Sequence, residues 1–397
     1  MPKLVYISLM RLPTEKAHGL QIMQNCEAFA EAGCDVTLWV ARRWNTGALG
    51  AVADPFAYYG VQANFRLRRI PCIDLFPFFA PDGIGARFAF YVLLVSYVVV
   101  AALLLTFTHA DIYYSRDEFV LALASRLKAR RSLAYEAHQF PAVGRGAALQ
   151  RQVVARVGSL IAITPTLRDD LLSQRNADPA RVIAAHDGFR RSRFRDLPSR
   201  NDARRQIGWP EGAFIVGYVG RLRMIGLDKG VAVLVEALAA VDDACLALVG
   251  GPAEMAEALR RRWLALGLPA ERFLFAGQVP PAKAPRYLRA FDVCAMPHPP
   301  NRQFSRYTSP LKLFEYMAAG RAIAASDLPA WSDVVADGES ALLLPPDDIA
   351  AWSEAINLLR RDSDLRRRLG ERARELALER YAWDIRARRI LAHIRSA

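Results

Sequence analysis

The sequence predicts an α/β protein of two consecutive domains, each a mostly parallel sheet with helices on both faces. Three observations predict it. Short β-branched, apolar runs alternate with helical stretches along the chain, the pattern that parallel sheets require. The alternation is interrupted once, by a polar, Arg-rich segment. The chain also has 397 residues, too many for one small domain and enough for two cores.

In the first half, strands are expected at 4–8, 36–40, 65–70, 112–115, 132–136, 160–164 and 182–185. Helical patterns fall between most of them, for example at 20–32 and 118–129. Residues 187–203 then combine many Arg with Pro198, Asn201 and several Asp and Ser, without an apolar period. That composition reads as a linker. A second series of strands is expected at 214–219, 245–249, 273–275, 293–296, 322–325 and 341–344. From 349 to 395 the chain reads as helix, broken at Gly370 and ending on an amphipathic Arg-rich stretch at 383–394. The expected divisions are 1–190, 191–380 and a terminal helix, 381–397, which is either a surface helix of the second domain or a return to the first. Two Rossmann-like domains facing a central cleft follow, with functional residues just after strands, because ligands bind beyond the carboxyl ends of such sheets.

Formal net charge is +13, and only six of the 53 basic residues are Lys. The excess is spread along the chain. It suits phosphates on a small ligand or on a membrane surface. No module interleaves basic and aromatic residues, so nucleic acid is not an expected partner. The five cysteines form no C-x-x-C pair and read as reduced, buried thiols of a cytoplasmic protein. The apolar run after Lys3 is too short for a secretory signal. Residues 88–110 carry no formal charge and are nearly long enough to cross a bilayer. Ser96, Thr106 and Thr108 interrupt them, and a helix is expected there between two strands. The expectation is a helix buried against the first sheet or facing a membrane peripherally, at its inner face, rather than a span.

The strongest site signal is the run from Ser309 to Gly320, Ser-Pro-Leu-Lys-Leu-Phe-Glu-Tyr-Met-Ala-Ala-Gly. Ser309 suits an N-cap, Pro310 the first helical position and Gly320 a terminator. Lys312 and Glu315 then share a face, with Glu315 about 9 Å along the axis from Ser309. A phosphate at the helix end and a sugar hydroxyl beside it would suit this pair. The plain alternative is a surface ion pair. After the strand at 214–219 come Gly220-Arg221 and then Lys229-Gly230. Two cations between glycines suit a diphosphate, against the alternative of a solvated turn. Gly250-Gly251-Pro252 opens another helix after a strand and repeats the anion-site logic. Asp169-Asp170 and Asp347-Asp348 read as helix-capping residues. Neither a metal nor a bound cofactor is expected.

Taken together, these residues resemble the nucleotide-sugar-dependent retaining glycosyltransferases of family 4, which have the GT-B fold. The matching elements are Gly217 to Arg221 with Lys229-Gly230, Val249 to Pro252, Phe275 to Val279, Asp292 to Pro297, and Ser309 to Gly320. They run in family order through the second half. The first half is similar more loosely, at 13–21, Tyr135 to His138, Ile163 to Pro165 and His186 to Gly188. The resemblance implies roles. Glu315 would bind the donor ribose, and Arg221 and Lys229 would hold the diphosphate. Gly220, Gly250 and Gly251, with the backbone of Ser309, Pro310, Leu311 and Lys312, would meet phosphate or sugar. Gln278 and Val279 would lie beside the base. His138 would reach the transferred sugar, and His18 and Gly19 would form a loop over the phosphates. The family often carries an acidic residue eight positions before Glu315, where this chain has Tyr307. That departure leaves no carboxylate nucleophile there and fits a mechanism in which the leaving phosphate deprotonates the acceptor. The resemblance thus implies a metal-independent, retaining transferase that moves a sugar from a nucleotide sugar to a glycan or lipid-linked acceptor of a surface polysaccharide. A sugar-nucleotide epimerase of the same fold and a non-catalytic membrane-associated scaffold are the alternatives.

Overall fold

The computed structural model describes residues 1–45, 47–79, 83–224, 227–301 and 305–396. It divides into two compact units. The first is Met1–His186 with Trp383–Ala397, and the second is Asp187–Ala382. The expected divisions at 190 and 380 therefore move to 186 and 382.

The first unit holds seven strands: β1 (Lys3–Ser8), β2 (Asp35–Ala41), β3 (Arg66–Ile70), β4 (Ile112–Ser115), β5 (Leu133–Ala137), β6 (Ser159–Ala162) and β7 (Val182–Ala184). Their order is β3-β2-β1-β4-β5-β6-β7, and every pair is parallel. The central strands β4, β5 and β6 are buried along their whole length, which is why they read as continuous apolar runs rather than alternating ones. Three helices matter below: α1 (Ala17–Glu31), α2 (Ile84–Phe107) and α3 (Glu118–Leu127).

The second unit holds β8 (Phe214–Val219), a short antiparallel hairpin of β9 (Arg223–Met224) and β10 (Leu227–Asp228), and then β11 (Ala244–Val249), β12 (Phe273–Gly277), β13 (Val293–Met296), β14 (Ala322–Ser326) and β15 (Leu342–Leu344). The six-stranded parallel sheet runs β12-β11-β8-β13-β14-β15. Helix α4 (Leu311–Ala318) lies between β13 and β14 in the chain. Helices α5 (Ile349–Arg361) and α6 (Ser363–Arg380) follow the sheet. The last helix, α7 (Trp383–Ser396), belongs to the first unit.

Four expectations need correction. Residues 187–203 are not a loose linker. Phe189 and Phe194 are buried and meet edge to face at 5.7 Å. The fully buried Arg204 that follows pairs with Asp292 at 2.6 Å and donates to the carbonyls of Ala290, Glu211 and Ala213. Gly370 does not break the terminal helix. It lies inside α6, where an added Cβ would stand 2.7 Å from the Gly320 carbonyl oxygen. The breaks fall instead at Asp362, which caps α6 by accepting from Leu365 N, and at 381–382. Asp169 and Asp170 lie beyond the first turn of their helix, whose cap is Thr164, accepting from Leu167 N at 3.1 Å. Asp348 does cap α5. Finally, four cysteines are buried but Cys72 is only half-buried.

Candidate functional site

In the second unit the strand order reverses between β8 and β13, and ligands of open parallel sheets bind at that switch point. The segments leaving β8 and β13 are held there by close backbone approaches. Gly220 has φ +130°, and a Cβ on it would lie 2.4 Å from Cε of Lys312. Gly230 has φ +74°, and a Cβ there would lie 1.9 Å from the Pro297 carbonyl oxygen. Only glycine permits either approach. The first seats Lys312 on the end of β8, and the second seats Lys229 beside the Pro297-His298 turn. Backbone hydrogen bonds join the neighbouring loops: Gly220 N to Val249 O at 2.7 Å, Leu222 N to Gly251 O at 2.8 Å and Gly250 N to Gly277 O at 2.7 Å. Gly220, Gly250, Gly251 and the turn before Gln278 thus share one end of the sheet.

Three basic side chains converge at this end. Lys229 is buried, and burial pushes its pKa down to about 7. Burial also lowers Lys312 well below the usual lysine value, and the Lys229 charge lowers it further. Its Nζ donates to the Tyr218 hydroxyl at 2.5 Å and stands 4.1 Å from that ring's centroid. His298 is 3% exposed, with its ring edge-on to Trp331 at 5.8 Å. Burial holds it well below its ordinary pKa, and the Lys312 and Lys229 charges add to that. Like charges gathered out of water oppose one another's ionisation. A negative charge placed here would favour the charged form of each.

Helix α4 begins at Leu311, with Pro310 as its N-cap residue and no side-chain cap. Ser309 is therefore not the cap. Its Oγ instead accepts from the backbone N of Asp187 at 2.7 Å. Glu315 and Lys312 have also turned to different partners. Glu315 Oε1 accepts from Arg193 Nη1 at 2.8 Å, and Arg193 donates as well to the Pro281 carbonyl. Both side chains of that pair are nearly buried. Arg221 is exposed, and its carbonyl accepts from the Tyr218 hydroxyl at 2.8 Å. Gln278 is exposed and Val279 half-buried. Tyr307 is buried, with the Arg306 guanidinium 5.8 Å from its ring centre.

The first unit carries the other predicted residues. His18 and Gly19, expected in a loop, lie in the first turn of α1. Gly19 packs so closely on Tyr59 and Thr14 that a Cβ would lie 2.4 Å from the Tyr59 hydroxyl. That hydroxyl accepts from Thr14 N and donates to Thr14 O. Burial lowers His18 to about 3, and nearby Arg116 and Lys16 contribute. His138 Nε2 lies 2.6 Å from Oε1 of Glu136. Burial and Arg116 lower its pKa to about 4, so at neutral pH it is uncharged, with its proton on Nε2 facing the carboxylate and Nδ1 an acceptor. Glu136 is fully buried at the centre of a network. It accepts from Gln21 at 2.7 Å, Asn25 at 3.2 Å, Arg386 at 2.8 Å and the Tyr114 hydroxyl. Burial pushes this carboxyl up, but the Arg386 charge and the His138 and Tyr114 hydrogen bonds outweigh it and hold it well below the usual carboxylate range.

Sequence reasoning missed His298, Tyr218, Arg193, Glu136 and Arg386 as members of these clusters. A lone His after a strand carries no spacing signal. Arg193 lay in the segment read as linker, and the partners of the others are remote in sequence.

Residues 213–362 match the family model for glycosyl transferases group 1. A D-inositol 3-phosphate glycosyltransferase of Salinispora tropica is 30% identical over 254 residues, covering 59% of this chain and 50% of its own. The chain thus spans about half the length of the curated relatives it matches. Among solved structures, sucrose-phosphate synthase from Thermosynechococcus elongatus superposes with a TM-score of 0.77 at 20% identity, over 100% of this chain and 98% of its own. HepE of Anabaena, solved with UDP and glucose, gives 0.74 at 18% identity over 100% of both chains. The chain has the GT-B fold of these structures, and residues 213–362 of its second unit are similar to the glycosyl transferases of group 1.

Proposed function

We propose that this chain transfers a glycosyl group from a nucleotide sugar to a hydroxyl acceptor, with the second unit holding the donor. The observation that carries the reading is the convergence of Lys229, Lys312 and His298 at the switch point of the second sheet. A diphosphate is the donor part that matches it: compact, doubly charged and more negative as it leaves. Arg221, exposed at the same strand end, adds a fourth cation as the bond breaks. Arg193 takes Oε1 of Glu315, and Oε2 can accept from a ribose hydroxyl. Gln278 and Val279 flank the base.

In the reaction the acceptor oxygen attacks the anomeric carbon, and the bond from that carbon to the diphosphate oxygen breaks. The proton of the acceptor passes to the departing phosphate. This route needs no protein nucleophile, in keeping with Tyr307 where relatives of this type often carry an acid, and it proceeds with retention. The lysines and His298 supply the positive charge, so the reaction runs in the presence of a chelator. The first unit takes the acceptor, a glycan or lipid-linked precursor of a surface polysaccharide, with the neutral His138 hydrogen-bonding to a sugar hydroxyl.

Because HepE was solved with UDP, uridine nucleotides head the test. Calorimetry against UDP, GDP and other nucleoside diphosphates should give one tight binder, and the matching nucleotide sugars should be hydrolysed slowly without acceptor. Binding of none of them overturns the reading. Binding with conversion between nucleotide sugars, and no release of diphosphate, points to the epimerase instead.

A further inference from the structure

We propose that the outer face of α2 is a docking surface for an anionic lipid bilayer, with the helix lying along the membrane surface rather than crossing it. The helix has 24 residues, or roughly 36 Å of length. Two stripes run along it at four-residue intervals. Ala89, Leu93, Tyr97, Ala101 and Leu105 are buried, while Phe88, Tyr91, Val95, Val99, Leu103 and Phe107 are exposed. The stripes are offset by about two residues, which is about 200° of helix rotation. At each level of the helix they therefore point away from each other, and each stripe winds gradually around it, by about 40° per four residues.

The inner face is committed to protein. The Tyr97 hydroxyl donates to the Ser8 carbonyl at 3.0 Å, and Ser96 Oγ accepts from Ile73 N at 2.9 Å. A bilayer span would strip both contacts and leave polar groups in hydrocarbon. The outer face is as apolar as the inner one but meets water, with Val95 60% and Val99 62% exposed. Exposed Phe78 and Phe79 extend it beyond the N-terminal end, Phe79 lying edge-on to Phe88 at 6.4 Å. An exposed apolar strip of this length on one element marks a contact surface.

Charge selects the occupant. Exposed Arg87 stands in the first turn of α2. At the other end, Lys128 Nζ donates to the Thr108 carbonyl at 2.8 Å. Thr108 also lines a surface groove of about 480 Å³ with Arg66, Arg68 and Trp39. Arg66 is partly neutralised by Asp35 at 2.7 Å, and the Arg68 guanidinium lies 5.4 Å from the Trp39 ring. Cations thus bracket the apolar strip at both ends. Side chains of this kind, apolar in the middle and cationic at the rims, fit acyl chains under anionic headgroups.

The test is cosedimentation of the full chain with phosphatidylcholine–phosphatidylglycerol vesicles, against phosphatidylcholine alone. Binding is expected to the anionic vesicles at low salt and to fall steeply at high salt. Val95→Asp with Val99→Asp should weaken it at least about tenfold and leave the melting temperature nearly unchanged, because both sites face outward. Arg68→Gln with Arg87→Gln, which leaves the helix packing alone, should flatten the salt dependence. The proposal falls if the wild type stays in the supernatant with anionic vesicles, or binds neutral ones equally well. It falls if the Asp variants bind as the wild type does. A dimer in solution that the Asp variants convert to monomer assigns the face to a second copy, and membrane attachment that survives carbonate assigns a span.

Discussion

Each unit gathers buried ionisable groups beside its sheet, and the two do opposite things with them. In the first, a buried carboxylate sits at the centre and everything around it answers its charge: Arg386 by an ion pair, and Gln21, Asn25, Tyr114 and His138 by hydrogen bonds. In the second, basic groups gather out of water: the Lys229 charge lowers Lys312, and both lysines lower His298. The first arrangement is complete as it stands and gains its stability on folding. The second is the one proposed to take an anionic ligand. A perturbed pKa is therefore not by itself the mark of a site. The sign of the surroundings separates a structural network from a binding one.

The largest effect that could break this contrast is expected in the first unit. Arg386→Met leaves the Glu136 charge buried without its cation, which costs about 3–5 kcal/mol. Chemical denaturation should show that loss, and calorimetry on the folded fraction should show nucleoside diphosphate affinity unchanged. A variant that kept full stability would mean that Glu136 is not the ionised hub described here.

Lys229→Met should behave in the reverse way. Removing one cation from the leaving diphosphate is expected to lower kcat by about 10²-fold or more. Stability should hold or rise, since a desolvated charge is gone. Loss of stability without loss of turnover would make Lys229 a structural residue and merge the two classes.

Glu315→Gln sharpens the boundary, because Glu315 belongs to both classes. It accepts from the buried Arg193 and is also the expected ribose ligand. Losing a charge-assisted hydrogen bond should weaken nucleotide binding by roughly ten- to hundredfold, from about 1.5–3 kcal/mol. Arg193→Gln is the control. Equal losses from both variants in stability, with nucleotide affinity intact, would assign the pair to the fold alone.

The most gradual effect is expected on pH. The Lys229 pKa is depressed to about 7 in the fold, while in the unfolded chain it is near 10.4. The unfolded state binds the extra proton between these values, so this group makes the ligand-free protein more stable as pH rises from about 7 to 10. Nucleoside diphosphate binding has the opposite slope, weakening as the lysine loses its proton. Thermal shift with and without nucleotide across this range should give curves that converge at high pH, and Lys229→Met should remove that convergence.

The thirteen strands of the two large sheets could all be read in the sequence: the central ones, buried on both faces, are short apolar runs, and Arg-rich β3 at the sheet edge was legible from its place between helical stretches. The glycines at 220, 230 and 250 were legible for a similar reason: each ends a strand or opens a turn. What could not be read depends on distance along the chain. Ser309 looks like a cap by its neighbours, but its hydroxyl is taken by Asp187 N, 122 residues away. Residues 187–203 look like a linker because Arg counts as polar in any window. Their role appears only when Arg193 reaches Glu315, and beyond their end Arg204 reaches Asp292. The helix at 84–107 shows its hydrophobicity in sequence but not its two faces, since both stripes are apolar and only packing tells them apart.

The membership of α7 in the first unit bears on how the molecule is made. Chains fold as they are synthesised, amino-terminal parts first. Here the first sheet is finished by residue 184, but the cation for its central carboxylate is Arg386, and Trp383 Nε1 donates to Gln24 at 2.6 Å. Until some two hundred further residues have emerged, Glu136 lacks the arginine that pairs with it in the finished fold. A nascent first unit must keep that carboxyl protonated, hydrated or in a loosened pocket, and its closure waits on completion of the second. A chain cut before residue 383 would therefore lack the Arg386 and Trp383 contacts of its first unit. The first unit is thus closed by residues that are translated only after the second.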